Sequence, residues 1–473
     1  MRYGPDMGNE DLTGHWAARL HEIAGQEHVP GAVLGIWADG TETLAAHGVL
    51  STATQVSTTP DSLFQIGSVS KVWTATMIMQ LADEGRLALD TPVARLLPGV
   101  ALGDPDASAE VTVAHLLTHT SGIDGDIFTD TGRGDDCVER YVADLATAPR
   151  IFPPGGGYSY CNSGFVLAGR IIEVLDGRTW DASLRERLTG PLGLSQTVTL
   201  AEEAIMHRAA TGHRLAPLQG VPASVWGLPR SVGPAGLICS SAHDVLTFAR
   251  LHLNGGVAGN GTRLLSEESV SEMPRPRAAI PSIGGREAVG LTWRLDHWGG
   301  RQVHGHDGLT IGQSAFLRAD PASGVAACLL TNSPEAGRLY YQLFSEIFGH
   351  YAGITPPAEP EPEPESGDRT DGAHGADLER HAGRYERTSR RYDVVVRDGR
   401  LHVTESPTDD RAEFSDDGPK EFDLYPARGE AAGSGVFVCR FYDSQPWGPA
   451  IFDRLADQTP YIYVGGRVTP RVA

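Results

Sequence analysis

Lysine is almost missing from this chain. Of 39 basic residues only Lys71 and Lys420 are lysines, so 37 are arginine. Neither lysine follows a glycine, which excludes a phosphate-cradling Gly-Lys-Ser/Thr loop, and the catalytic triplets of protein kinases do not occur. Cysteine is also scarce. Cys137, Cys161, Cys239, Cys328 and Cys439 are too scattered for a disulfide framework and form no C-x-x-C pair, so they read as reduced thiols. No apolar run approaches the ~18 residues of a membrane-crossing helix. The stretch Met1–Val29 is polar, without the apolar core of an export signal, so a cytoplasmic protein is expected. Positive charge is lacking overall. A net charge of −21 does not coat a phosphate backbone, which argues against a nucleic-acid partner. The G-x-S-x-G elbow of α/β-hydrolases is absent too. His115-Leu-Leu-Thr-His119 has a zinc-compatible spacing but no intervening glutamate, and His304-Gly-His306-Asp307 is followed by no further histidine. No metal and no cofactor is therefore expected.

What is present is a long chain rich in glycine. The 473 residues suffice for roughly two to four domains. Glycine, at 57 residues, is about 12% of the chain against a usual ~7%, which predicts many turns. The clearest boundary is Thr355-Pro-Pro-Ala-Glu-Pro-Glu-Pro-Glu-Pro-Glu-Ser-Gly, whose alternating proline and like charge cannot build a core. It divides the chain into a domain over 1–354, a linker over 355–375 and a domain over 376–473.

The first domain mixes helical and strand patterns. His28–Trp37 and Thr41–Ala46 read as a hairpin. Ser68–Glu84, capped by Gly85, Cys161–Leu175 and Ser241–Leu253 read as helices, and Ser314–Arg318 with Gly324–Thr331 as strands. Strands at both ends of the domain suggest one antiparallel sheet that they complete together. In the second domain, Tyr392–Thr404 is a hairpin turning at Asp398-Gly399, and Gly435–Tyr442 and Tyr461–Val464 are further strands. The overall class is α+β followed by an all-β unit.

Ser68-Val-Ser-Lys71 places a hydroxyl and an ammonium three residues apart at a helix start, on one face. The helix N-terminus favours a developing anion, and a desolvated lysine can act as a base where arginine cannot. In a chain purged of lysine, the one retained in the first domain stands where only lysine serves. Tyr160-Cys-Asn162 supplies a phenol suited to proton relay and an amide suited to hold a substrate carbonyl. His304-Gly-His306-Asp-Gly308, expected just before a strand, offers His306 to orient substrate and steer the tyrosine proton, while Gly308 allows close backbone approach to a bound acyl group. The backbone N–H groups of Ser68 and Leu309 would then form an oxyanion hole.

Together Leu63-Phe-Gln-Ile-Gly-Ser68-Val-Ser-Lys71, Leu116-Leu-Thr-His-Thr-Ser-Gly-Ile123, Tyr160-Cys-Asn162, Gly233-Pro-Ala-Gly-Leu237 and His306-Asp-Gly308 resemble, in order and spacing, the class C β-lactamase and penicillin-binding serine hydrolase family. The resemblance spans about residues 15–350. It implies Ser68 as nucleophile, Lys71 as its base, Tyr160 as proton relay and Asn162 as a contact to the substrate amide. It also implies a sandwich of an antiparallel sheet and a helical subdomain. The tail opening at Leu378-Glu-Arg-His-Ala-Gly-Arg-Tyr385 is similar to the lipocalin-like β domain appended to many members. The family's antibiotic-hydrolysing members carry Lys-Thr-Gly where this chain has His306-Asp-Gly308, so little β-lactam turnover is expected. The histidine form is similar to family VIII esterases, D-aminopeptidases and the stand-alone penicillin-binding-type thioesterases that cyclise nonribosomal peptides. With no export signal seen, the expectation is the cyclase branch, taking a peptidyl thioester from a peptidyl carrier protein. A D-specific peptidase or an esterase is the alternative, and a non-catalytic sensor the outside one. Tyr461-Ile-Tyr-Val-Gly-Gly-Arg467 places an arginine after a strand and two glycines. At ~3.1 Å per residue the linker is long enough to bring Arg467 back to the cleft to hold substrate.

Overall fold

The computed structural model describes residues 9–472, apart from 104, 215–219, 284–286, 365–377, 409–418, 431–432 and 442–444. Helix α1 (Asn9–Gln26) leads into the hairpin β1 (Gly31–Ala38) and β2 (Thr41–Gly48). Then come α2 (Ser70–Asp83), α3 (Asn162–Asp176) and α4 (Ala242–Leu253). Strands β3 (Ala278–Ala279), β4 (Ala288–Val289), β5 (Arg294–Trp298), β6 (Arg301–Leu309), β7 (Ser314–Asp320) and β8 (Val325–Thr331) follow, and α5 (Gly337–Tyr351) ends the first domain.

These strands form one antiparallel sheet in the order β2-β1-β8-β7-β6-β5-β4-β3. The first strands and the last thus pair directly, second and third from one edge, with Gly35 opposite Cys328. Strand β1 reads Gly-Ala-Val-Leu-Gly-Ile-Trp-Ala without polar alternation because both faces are covered. Leu34 and Ile36 face α1 and α5 with Trp16, Leu20, Phe344 and Phe348, while Val33 faces the larger core built on α2, α3 and α4. Helix α2 is buried continuously from Ser70 to Leu81 and mostly apolar, as a helix threaded through the middle of a core must be. Trp73 stacks on Phe248 of α4 at 4.1 Å.

The second domain is an eight-stranded, nearly closed antiparallel barrel: β9 (Gly383–Arg387), β10 (Arg390–Arg397), β11 (Arg400–Pro407), β12 (Lys420–Pro426), β13 (Val436–Cys439), β14 (Gly448–Arg454), β15 (Pro460–Val464) and β16 (Arg467–Pro470), each paired with the next. Asp398 and Gly399 turn the expected hairpin with φ of 50° and 74°, the left-handed pair that a two-residue turn requires. A bridge between Tyr385 and Arg471, with the Val472 N–H donating to Arg384 O at 2.8 Å, brings the first and last strands together. Inside lie Tyr385, Leu401, Val403, Leu424 and Ile462.

Three expectations need correction. The His304–Gly308 stretch does not precede a strand but lies within β6, held by β5 and β7 on either side. The strand expected over Gly435–Tyr442 is limited to Val436–Cys439, and Tyr442 lies outside the described residues. The first half of the Pro/Glu segment is not a bare spacer: Pro362 bridges Ala427 and the Glu363 N–H donates to Pro426 O at 2.8 Å, so it runs along the barrel. Its second half, 365–377, lies outside the described residues.

The two domains pack on each other through an apolar cluster of their own. Phe152, Tyr158, Ile280 and Val289 from the first meet Ile451, Tyr461, Tyr463 and Val468 from the barrel.

Candidate active site

Ser68 sits on a single 3-10 turn, Gly67–Val69, that runs directly into α2. Gly67 takes φ 51°, and a Cβ there would lie 2.8 Å from the backbone nitrogen of Leu309. Gly308 is more tightly placed: a Cβ would fall 1.9 Å from the Ile66 carbonyl oxygen and 3.0 Å from the Ser68 nitrogen. The close approach that Gly308 permits is therefore first to the serine turn, and only as a consequence to anything bound there. It lays the end of β6 against the turn that carries Ser68, so the backbones at Ser68 and Leu309 lie close together.

One helical turn on, the Lys71 ammonium donates to Ser68 Oγ at 3.0 Å and to the carbonyl of Ala235 at 2.6 Å. Lys71 is wholly buried. Burial pushes its proton affinity well below the ordinary lysine value, and the charge of Arg467 lowers it further, opposed by Asp126 and Cys161. Tyr160 lies beside both groups, its ring centroid 5.0 Å from the Lys71 nitrogen and its hydroxyl bonded to Ser68. Burial raises the phenol's pKa above its usual value, more than the Ser68 bond and Arg467 lower it, so it stays protonated. The division of labour follows from these two environments: a neutral amine can accept a proton from Ser68, and an un-ionised phenol can pass one on.

His306 is buried on β6, its ring 6.2 Å from that of Tyr160. Its Nδ1–H donates to Asp307 O at 2.7 Å, and burial, with the Lys71 charge, depresses its pKa to about 4. The ring is thus neutral at pH 7, with the lone pair on Nε2. Asn162, the first residue of α3, donates through Nδ2 to Asp126 Oδ1 at 2.8 Å, leaving its carbonyl and second N–H for other partners.

Arg467 opens β16 after the Gly465-Gly466 turn, whose φ values are 58° and 85°. Its guanidinium lies 4.6 Å over the Tyr160 ring and grips Asp126 through Nε at 2.9 Å and Nη2 at 3.1 Å. A residue of the barrel is thereby part of the site in the first domain. The neighbouring backbones are knitted too: Tyr160 N–H donates to Gly466 O at 2.9 Å and Val468 N–H to Ser159 Oγ at 3.2 Å. A cavity of about 810 Å³ is lined by both domains, with Ser68, Tyr160, Asn162, His306 and Arg467 all in its wall.

Three participants were not foreseen. Asp126, 2% exposed, receives Asn162, Arg467 and Arg387 at once, the last at 3.0 Å. Arg387, from the end of β9, carried no sequence signal. His119, seen only as half of a zinc decoy, stacks on Tyr160 at 4.2 Å while its Nδ1 accepts the Cys161 N–H at 2.9 Å. His115 is also engaged, its Nδ1 accepting the Thr112 N–H at 3.2 Å.

A sheet-and-helix sandwich that delivers a buried lysine to a serine hydroxyl, with a protonated tyrosine alongside, defines a serine hydrolase. A protein-family model described as Beta-lactamase matches residues 16–343, and the chain belongs to that family of β-lactamase- and penicillin-binding-protein-like serine hydrolases. It is 47% identical over 359 residues to Penicillin-binding protein 4 of Amycolatopsis lactamdurans, covering 74% of this chain and 94% of that one. Among solved structures, SurE superposes with a TM-score of 0.75 at 27% identity, covering 98% of this chain and 100% of that one, so the likeness includes the barrel. The D-amino acid amidase of Ochrobactrum anthropi SV3 superposes with a TM-score of 0.57 at 26% identity over 68% of this chain and 91% of its own.

Proposed function

We propose that the protein is a stand-alone thioesterase that takes a peptidyl group onto Ser68 and releases it as a macrocycle. The observation that carries this reading is the roofed cleft. The lipocalin-like barrel (376–473, joined through 355–375 to the catalytic unit 1–354) sets Arg467 beside Tyr160, over a cavity of about 810 Å³. That volume is at the large end of ligand sites. Its wall includes Phe128, Leu228, Val232, Ile280, Val289 and Phe441, which suits a folded peptide and disfavours bulk water.

Neutral Lys71 accepts the Ser68 proton as Oγ attacks the thioester carbonyl, and the oxyanion forms against the backbone N–H groups of Ser68 and Leu309. The thiolate leaves and takes its proton through Tyr160. Asn162 holds an amide of the acyl chain, His306 orients it through its Nε2 lone pair, and Arg467 faces the anionic or carbonyl end of the substrate. The peptide's own amine then attacks the ester, giving its proton to Lys71 and returning Ser68 as the alcohol. The thioester donor is a peptidyl carrier protein, which places the reaction in the cytoplasm. Two likenesses support a D-configured residue at the acyl position: SurE has been solved with D-Leu, and the amidase, solved with phenylalanine of both hands, is named for D-amino acids. The amidase likeness also favours a second reading, in which water deacylates and the enzyme is a D-specific peptidase.

A peptidyl thioester surrogate ending in a D-residue separates the two. Mass measurement is expected to show a product one water lighter than the linear acid, absent with Ser68→Ala. Linear acid as the sole product would overturn the cyclase reading in favour of the hydrolase.

A further inference from the structure

Two arginines of the barrel, Arg387 and Arg467, reach one carboxylate of the first domain. Arg467 binds Asp126 in a fork and Arg387 meets the same group at 3.0 Å, while the Thr388 N–H donates to Asp124 Oδ2 at 2.6 Å. Both aspartates are 2% exposed, so these pairs are shielded from solvent. The cluster is more than a fastening between domains. Arg467 lies 4.6 Å over the ring of Tyr160, the Lys71 ammonium lies 5.0 Å from that same ring, and Asp126 holds Asn162.

We propose that the Asp126–Arg467 pair is a charge gate on the Lys71 base, so that seating the barrel and arming Ser68 are a single event. This rests on Lys71 being the proton acceptor of the reaction given above. The groups around Lys71 can be named element by element. His119 and Asp126 come from the loops before α3, and Tyr160 and Cys161 from its entry. His306 comes from β6 and Arg467 from β16; on its own turn there is only the hydroxyl of Ser68. Burial keeps His119 and His306 neutral and Tyr160 protonated. Asp126 and Arg467 are therefore the two charges that dominate this wall, and they act on the Lys71 proton in opposite senses. The arginine repels it and the carboxylate retains it. In the first domain without the barrel's Arg467 and Arg387, both of which pair with Asp126, Lys71 would face that carboxylate unbalanced and hold its proton more tightly, leaving Ser68 poorly activated.

The opposite signs make the gate testable without the natural substrate. A fluorophosphonate labels Ser68 by forming an Oγ–P bond as fluoride leaves and the serine proton passes to Lys71. The acid limb of labelling rate against pH therefore reads the Lys71 titration. In the full-length protein, Arg467→Met is expected to move that limb upward and Asp126→Asn downward, each by about one pH unit. Arg467→Lys, which keeps the charge, should leave it near the wild-type position, as should Arg428→Gln, which removes only the exposed pair with Glu361. Movement of Arg467→Met and Asp126→Asn in the same direction would overturn the gate, because loss of packing alone predicts that result. So would an unmoved limb in Asp126→Asn. Should Arg467→Met not fold, the contrast between Arg467→Lys and Asp126→Asn decides: an unmoved limb in the first and a lowered one in the second support the gate, and any other pairing overturns it. A wild-type protein that is not labelled at Ser68 would sink the function itself, whereas normal labelling with the wrong signs sinks only the gate.

Discussion

Lys71 and Arg467 are both basic, both close to Tyr160, and chemically opposite in use. The lysine is buried without a carboxylate in contact; it donates to a serine hydroxyl and a backbone carbonyl, and so can live as the neutral amine. The arginine is gripped by Asp126, which holds its guanidinium further into the charged form. Lys71→Arg keeps the charge but provides no group that can accept the Ser68 proton. Labelling of Ser68 by a serine-reactive phosphonate should fall by about 10²–10⁴-fold, the usual worth of a general base, and Ser68→Ala should not label at all. Near-normal labelling of Lys71→Arg would place the base elsewhere. The serine, lysine and tyrosine that the structure brings together were legible in the sequence because each sits in a short run whose chemistry is local: a serine three places before a lysine, a tyrosine two before an asparagine. Asp126 was not. Its partner Arg467 is 341 residues away in sequence, and nothing in Gly125-Asp126-Ile127 distinguishes a buried hub from a surface turn.

At the scale of elements, the decisive contact is between β6 and the turn that carries the nucleophile. The run Arg-Gln-Val-His-Gly-His-Asp-Gly-Leu looks like a polar loop because its polar residues are too many for a simple two-faced strand. The structure shows what satisfies them. Asp307 is held by Arg318 of β7 at 2.6 Å, and His306 by its neighbour's carbonyl. Gly308 leaves room for the Ile66 carbonyl. Gly308→Ala would push a methyl group to 1.9 Å from that oxygen, backbone against backbone, with no flexible side chain to give way. The strand must withdraw from the turn. About 1–3 kcal/mol of stability should be lost, as for other overpacked sites, together with most of the Ser68 labelling. Unchanged labelling in a variant with unchanged melting temperature would show that the two backbones need not touch. The same reading applies to the barrel strands that sequence alone did not find. Strands β9, β12, β14 and β16 mix charged and apolar residues, because their outer faces meet solvent or the first domain and only their inner faces form the core.

For the whole molecule, acidification is the condition that strains this design. Several histidines are packed as neutral rings: burial holds His304 and His306 at about 4 and His252 at about 3. In the unfolded chain each returns to about 6.5. A group whose folded pKa is depressed below its unfolded one binds more protons when unfolded, so each proton taken up between these values favours unfolding. Stability contributed by these rings is complete above about pH 6.5, declines as pH falls towards 4, and has nothing further to lose from His304 and His306 below that. Asp244 and Glu173 act in the other sense, because burial raises their pKa and protonation eases their cost, but they do so nearer the carboxylate range. The window between pH 6.5 and 5 therefore belongs to the histidines. The melting temperature should be level from pH 8 to 7 and fall by several degrees between 6.5 and 5. His306→Gln, which replaces one of these rings with a group that does not titrate, should make the fall shallower. A wild-type melting temperature that stays level or rises across that window would mean that these rings take up protons in the folded state, and that the neutral His306 on which the site depends is not maintained.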